Sequence, residues 1–232
     1  MIVQGVTLNG TRVVDASIII PNLAIWIDAN NSSSYGGSGT SITDLSGNGR
    51  TQNLTNAGQF TTLSSIKCFD CSSSGLGIGA ASIGPTLPTS GFTYISWARI
   101  IASTATFRTL FRTSPDDHPI LINAGTNDLG MWDNSSTFHS AGYNVSSLAN
   151  TWAQWVVTGD SSGQTFYING QQVGTTTYSS AGNSHNITGN VGQAPGSTQP
   201  FGYIANMLLY TTKLTQEQIQ QNYYYYKSLF GV

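Results

Sequence analysis

The clearest hydrophobic patterning in the chain lies between Thr151 and Gly174. It opens with Thr151-Trp152-Ala153-Gln154-Trp155-Val156-Val157-Thr158 and, after a turn, continues as Thr165-Phe166-Tyr167-Ile168-Asn169-Gly170-Gln171-Gln172-Val173-Gly174. The pattern predicts three consecutive antiparallel strands. Asp160-Ser161-Ser162-Gly163 supplies the first turn and Asn169-Gly170 the second. Asn-Gly is the strongest two-residue hairpin signal, because a type I′ turn needs φ > 0 at both central residues. The flanking aromatic and β-branched residues suit a half-buried pleated surface.

The same reading extends along the chain. Leu23 to Ala29 predicts a strand. A polar, glycine-rich loop follows from Asn30 to Thr43, and then the turn formers Asp44-Leu45-Ser46-Gly47-Asn48-Gly49-Arg50. Phe60 to Ile66, Lys67 to Asp70 and Leu76 to Ile78 predict short strands. Phe92 to Ile100 predicts a long one, with Phe92, Tyr94, Ser96, Ala98 and Ile100 on one face and Thr93, Ile95, Trp97 and Arg99 on the other. Arg108 to Arg112, Pro119 to Asn123 and Leu129 to Asp133 continue the series. Ser180 to Gln199 reads as loop with one short strand near Ile187, and Phe201 to Tyr210 as the last long strand. One helix is expected from Leu214 to Tyr223, with Thr215 as N-cap and Glu217 in the first turn, where a carboxylate suits the dipole. Leu214, Ile219 and Tyr223 would face the sheet.

Residues 1–22 stand apart from a main domain spanning 23–232. Val6 to Val14 predicts a small hairpin around Asn9-Gly10, and Ser17 to Ile20 leads inward to Pro21. The segment reads either as an extra edge hairpin or as an assembly arm. In the second case Val6, Leu8, Ile18, Ile19 and Ile20 would extend the sheet of a neighbouring subunit. Many short strands between turn signals, with almost no helix, predict an all-β fold: a two-sheet antiparallel β-sandwich or jelly roll with one short C-terminal helix.

Composition narrows the function classes. A chain of 232 residues suits one all-β unit, and 39% hydrophobic residues, with 5 Trp and 11 Tyr, suffice for one large core. Only 8% of residues are charged, so solubility rests on Ser, Thr, Asn, Gln and Gly. A net charge of −2 gives no basic field for nucleic acid or anionic lipid. No stretch approaches the roughly 18 apolar residues of a membrane span, so membrane insertion is not expected. The N-terminus lacks the basic and apolar regions of a secretory signal; either export does not use that route or a mature form is shown. Cys68 and Cys71 form a lone C-x-x-C in strand-like sequence. On a regular strand they point to opposite faces, which favours two free thiols over a local disulfide and, last, metal or redox chemistry.

The order of these segments resembles the concanavalin A-like jelly-roll superfamily, and within it the laminin-G-like, pentraxin-like domains. Leu23 to Asp28 followed by Asp44-Leu45-Ser46-Gly47-Asn48-Gly49 resembles the family's opening strand and its D-x-S-G-N-G loop. Phe69-Asp70 resembles its F-D-G strand, with Cys71 in place of the glycine. Phe92 to Arg99, the Trp155 to Gly174 meander and the closing Gly202 to Tyr223 strand and helix complete the match, which covers roughly residues 23–226. The Ile27-Asp28-Ala29-Asn30 segment with its Ser/Gly loop is similar to domains in structural proteins of bacteriophages and large double-stranded DNA viruses.

The resemblance implies candidate sites without fixing function. Sugar binding uses aromatic platforms beside amides and carboxylates, often ordered by Ca²⁺. Trp132, Asn127, Asp128, Asp133, Asn134, His139 and Tyr143 cluster in sequence as glycan-binding candidates; the alternative for Trp132 is a core aromatic. Asp28, Asp44 and Asn48 are Ca²⁺ candidates by resemblance to metal-binding relatives, the alternative being that Asp44 and Asn48 hydrogen-bond their own turn. The β-glucan-cleaving relatives use glutamates in an E-x-D-x-x-E pattern that is absent here. Glu217 is the single glutamate, whereas glycoside hydrolysis needs two carboxyl groups placed across the bond. Asp116-Asp117 and Asp128…Asp133 read as turn residues, so no enzyme is expected. The first expectation is a non-enzymatic component of a virus particle — minor capsid, decoration, fibre or vertex — with other virion or capsid proteins, or itself, as partner. The alternative is an extracellular or cell-surface lectin module; a glycoside hydrolase is the distant third.

Overall fold

The computed structural model describes residues 7–8, 11–12, 17–73, 76–80, 86–102, 106–113, 117–133, 135–183 and 199–231. Among the described residues, strands β1 (Thr7–Leu8) and β2 (Thr11–Arg12) pair only with each other, Thr7 with Arg12 and Leu8 with Thr11. β3 (Leu23–Asp28), β4 (Ser41–Ile42), β5 (Gln52–Leu54), β6 (Phe60–Leu63), β7 (Ile66–Cys71) and β8 (Ile78–Ala80) follow. Next come β9 (Phe92–Ile100), β10 (Arg108–Phe111), β11 (His118–Ile122), β12 (Asp128–Trp132) and β13 (Phe138–Asn144). The expected meander is β14 (Trp152–Asp160), β15 (Gly163–Ile168) and β16 (Gln171–Thr176); β17 (Gly202–Ile204), β18 (Asn206–Tyr210) and helix α1 (Gln216–Phe230) close the chain. Asn169 and Gly170 both carry positive φ, 52° and 75°, as the type I′ turn between β15 and β16 requires.

All sheet pairings are antiparallel. The large sheet runs β16-β15-β14-β9-β17-β7-β6, with β18 continuing beside β9 and taking β3 as its outer neighbour. The closing strand therefore serves two partners in turn. The device is a bulge at Ala205-Asn206. Ile204 pairs with Ala98 and Leu208 with Ile95, so the closing strand has one residue more than β9 between those pairs. The Asn206 side chain repairs the ladder: its Oδ1 accepts the Trp97 N–H at 2.8 Å, and Ser96 Oγ donates to the Asn206 carbonyl at 2.6 Å. A second, four-stranded sheet runs β10-β11-β12-β13, and a third small one runs β4-β5-β8.

Both smaller sheets share one core with the inner face of the large sheet. Phe92, Tyr94, Ala98, Trp155, Phe166 and Leu209 meet Phe111, Ile120, Ile122, Met131, Ile42, Leu54 and Ile78. The outer face of the large sheet carries a second cluster, including Ile95, Trp97, Val156, Leu208 and Tyr210, under α1. The face alternation expected for β9 is thus observed, because both faces of this strand are buried.

Helix α1 begins at the expected N-cap. Thr215 Oγ1 accepts the Gln218 N–H at 3.3 Å and the Gln218 side chain accepts the Thr215 N–H at 2.9 Å, a reciprocal capping box. The helix runs through the tyrosine run to Phe230 and ends at Gly231 in the left-handed conformation. Its extra turns are held by packing: Tyr226 is fully buried, and Tyr223 stacks on Trp97 at 5.7 Å between centroids with planes 6° apart.

Residues 17–22 run beside the helix rather than forming a strand. Ile18 is buried in the outer cluster and Ile19 packs against it. The Ile19 N–H donates to Asn222 Oδ1 at 3.1 Å, and Gln221 Nε2 donates to the Ser17 carbonyl at 3.2 Å. Of the assembly-arm residues, Ile18 and Ile19 are thus spent within the chain and Ile20 is exposed; Leu8 pairs with Thr11, and Val6 lies outside the described residues. The strand expected near Ile187 also lies outside them.

Candidate functional site

The three Ca²⁺ candidates do not converge on a cation cradle. Asp44 spends its carboxylate on its own neighbourhood: Oδ1 accepts the N–H groups of Trp26 and Ser46, each at 2.9 Å, and Oδ2 accepts Ser46 Oγ at 2.8 Å and the Arg50 N–H at 3.0 Å. Asn48 Nδ2 donates to the carbonyls of Leu23 and Ala24, and Arg50 Nη1 donates to Ala24 at 2.8 Å. The D-x-S-G-N-G loop is therefore a cover for the free edge of β3, satisfying backbone groups that would otherwise invite a foreign strand. Donors already occupy the oxygens a hard cation would need, and a guanidinium stands beside them. Among the described residues no group of three or more His, Cys, Asp or Glu is placed to hold a metal.

Asp28 lies elsewhere, 2% exposed beneath α1. Trp26 Nε1 donates to the Tyr226 hydroxyl at 3.0 Å, and that hydroxyl is hydrogen-bonded to Asp28. Burial pushes the Asp28 carboxyl up to about 6, against the lowering effect of hydrogen bonds from the Asn30 N–H, Tyr226 and the Asn30 side chain. Cys68 and Cys71 are free and buried. Cys71 shares the inner core with Phe69, whereas Cys68 alternates to the other face with Ile66. Burial pushes the Cys68 thiol up to about 12 and Cys71 higher still, so burial disfavours the thiolate form of both.

The glycan-binding candidates fall on one hairpin, β12–β13, and split between its two ends. Strand β13 is a strand that sequence patterning did not yield. A bulge at Ala141-Gly142, with Gly142 at φ 75°, breaks its alternation. Trp132 and Asp133 stand at the turn end. Asn127, Asp128 and Tyr143 stand at the other, on the order of 15 Å away at 3.3 Å per residue. Asn134 lies outside the described residues.

At the turn end, Trp132 pairs across the strands with Phe138 and packs edge-to-face on Phe107 at 5.3 Å. It is half-buried rather than a free platform. Asp133 Oδ1 accepts the N–H groups of Ser135 at 2.9 Å and Thr137 at 3.0 Å, and Oδ2 bonds His139 Nε2. Burial pushes the Asp133 carboxyl up, but these hydrogen bonds and the His139 charge outweigh it and hold the group below the usual carboxylate range. The His139 ring in turn stacks on Tyr178, centroids 3.4 Å apart and planes 16° apart. Tyr178 is 49% exposed. The result is an aromatic ring presented to solvent, backed by an imidazole that a carboxylate fixes.

Tyr178 escaped sequence reasoning because it follows β16, far along the chain from the hairpin. The edges of β13 and β16 meet without a ladder. At Gly174 an added Cβ would collide with the Ala141 carbonyl oxygen. That glycine inside a strand was the available signal, since a strand glycine often marks close backbone approach.

At the other end, Asp128 accepts Asn144 Nδ2 at 3.2 Å, and Tyr143 packs against the inner core. Asn127, with φ 62°, lines a pocket of about 230 Å³ together with Ile100, Ile101, Val145, Ser146 and Ala149. Of the remaining carboxylates, Asp117 is buried and accepts Asn183 Nδ2 at 2.6 Å, contrary to the solvated turn expected for it; Asp116 lies outside the described residues. Glu217 is exposed in the first turn of α1.

Comparison with known proteins fits this architecture. A mutant Trypanosoma rangeli sialidase displaying trans-sialidase activity superposes with TM-score 0.61 at 13% identity, over 94% of this chain and 35% of that one. The same sialidase in complex with sialic acid gives 0.59 at 13% identity, with the same coverage. The binding domain of Paraclostridial Mosquitocidal Protein 1 gives 0.58 at 16% identity, over 88% of this chain and 52% of that one. The chain thus spans about a third of the sialidases and half of the toxin domain, and likeness at this identity is likeness of fold. No curated protein matches the sequence. The Laminin_G_3 family model, described as concanavalin A-like lectin/glucanases superfamily, matches residues 74–220. With the sandwich, the meander and the closing strand and helix all in place, the chain belongs to this family of the concanavalin A-like lectin/glucanase superfamily.

Proposed function

We propose that this chain is a non-catalytic carbohydrate-binding module. The observation that carries the reading is Tyr178, an exposed ring mounted on His139 and Asp133 at the seam of the two sheets. A sugar presents an apolar face of C–H groups that stacks on such a ring, and stacking repays best when the ring is already immobilised. The neighbouring Thr137 and Ser135 add exposed hydroxyls for the sugar's polar edge. The superfamily and the sialidase and toxin binding-domain neighbours support the same class.

The carboxylates support binding over hydrolysis. Asp133 is tied by its turn and His139, Asp128 is bonded to Asn144, and Glu217 sits on a helix outside the hairpin. A mechanism with two opposed carboxyl groups has no pair to use among these three. The virus-particle setting draws on residues 27–49, whose Asp44–Asn48 turn here covers the β3 edge; the binding reading holds on a particle or on a cell surface alike.

The test is a glycan array with the wild-type protein, followed by titration of the best binder against Tyr178→Ala and Trp132→Ala. Tyr178→Ala should weaken binding at least tenfold and Trp132→Ala less. Silence across a broad array would overturn the proposal, as would reducing-sugar release from laminarin.

A further inference from the structure

We propose that the pocket at the far end of the β12–β13 hairpin holds the acetamido group of an N-acetylated sugar. The inference rests on the glycan-binding reading but places a second contact away from Tyr178. The floor is apolar: Ile100 and Val145 are buried, and Ile101 and Ala149 are half-buried beside them. Two residues with polar side chains line the same space, the half-buried Asn127 and the exposed Ser146. Among the described residues neither side chain has an internal hydrogen-bond partner, whereas several backbone groups around them are tied. The Val145 N–H donates to the Asn127 carbonyl at 3.0 Å, the Asn150 N–H to Ile100 at 2.8 Å, and the Ser146 N–H to Asn144 Oδ1 at 3.0 Å. The backbone is held by these bonds while the two side chains stay open to a ligand, an arrangement that limits the ordering cost of binding.

The chemistry selects the group. An acetamido substituent is a methyl joined to one amide donor and one amide acceptor. The apolar floor takes the methyl, and a carboxamide offers both complementary functions to the amide. A space of about 230 Å³ lies below the several-hundred range of drug-sized pockets, so it takes one substituted sugar rather than a chain.

The experiment titrates the full chain, by ligand-observed NMR, with N-acetylglucosamine, N-acetylneuraminic acid and glucose. The wild type should bind the two acetylated sugars and not glucose. Asn127→Gly keeps the positive φ and removes only the carboxamide, and Ala149→Leu fills the space; each should weaken both acetylated sugars at least tenfold. Unchanged binding in Asn127→Gly and Ala149→Leu, or equal binding of glucose, overturns the pocket assignment. If larger glycans still bind through Tyr178 while these monosaccharides do not, the pocket fails and the module reading stands; if no glycan of any size binds, both fall.

Discussion

Asp28→Asn should make the protein more stable at neutral pH, and by an amount that depends on pH in a defined direction. The wild-type carboxyl is 2% exposed, bonded to the Asn30 N–H at 2.8 Å and to the Tyr226 hydroxyl, with no Lys, Arg or His paired to it among the described residues. Its folded value is raised from 3.8 to about 6 by burial. A raised folded value means the unfolded chain loses this proton first. The stability contributed by the protonated carboxyl is fully present below 3.8 and is lost as pH rises through about 6. At 1.36 kcal/mol per pH unit, the ionised group at pH 7.5 costs about 3 kcal/mol relative to the acid form. Asparagine keeps an oxygen for the Asn30 N–H and for Tyr226 and never ionises. Urea unfolding of both proteins at pH 4 and pH 7.5 gives the answer as a double difference, in which the other titrating groups cancel. The variant's stability relative to wild type should rise by most of that 3 kcal/mol between the two pH values. Parallel stability–pH curves would refute the reasoning, because they would mean that Asp28 ionises under α1 at no cost.

Two further outcomes are expected from backbone features. Ser64 and Ser65 connect β6 to β7 with φ of 52° and 67°, a conformation that costs a non-glycine residue about 1 kcal/mol or more; Ser65→Gly should raise the Tm by a few degrees, read by calorimetry. Gly174→Ala should destabilise the protein by several kcal/mol in denaturant titrations and disturb the stacking of His139 on Tyr178, since its Cβ would collide with the Ala141 carbonyl oxygen at the seam.

The parts of the fold that the sequence announced are those where local and tertiary preferences agree. Asn169-Gly170 turns as its residues demand, β9 spans Phe92–Ile100 as its apolar run implies, and Thr215 caps α1. The misses share a cause, tertiary packing overriding a weak local signal. Tyr223 to Tyr226 look like a helix end but stay helical because Tyr226 and Tyr223 find Trp26 and Trp97. Ser64-Ser65 forms a tight turn without the asparagine or glycine that would advertise it. For the site, residue type and neighbourhood were legible at Asp133 and His139, but sequence proximity also bundled Asn127 and Asp128 with them, and a strand separates the two groups. Asp44 and Asn48 resembled ligands because turn-satisfying and metal-binding oxygens look alike until their donors are seen.

The bulge at Ala205-Asn206 has a consequence for biogenesis. Among the described residues β3 pairs only with the closing strand, Asp28 with Asn206, 178 positions later in the chain, and β7 meets the same closing strand through Phe69 and Ile204. Until residues 202–210 leave the ribosome, β3 lacks the ladder partner it has among the described residues, and β7 has β6 but no link to β9. Completion of the sheet is therefore a late event with high contact order, which places this protein among slow folders. A nascent chain stalled before Gly202 should remain protease-sensitive at β3, and one stalled with Tyr210 and α1 exposed should not.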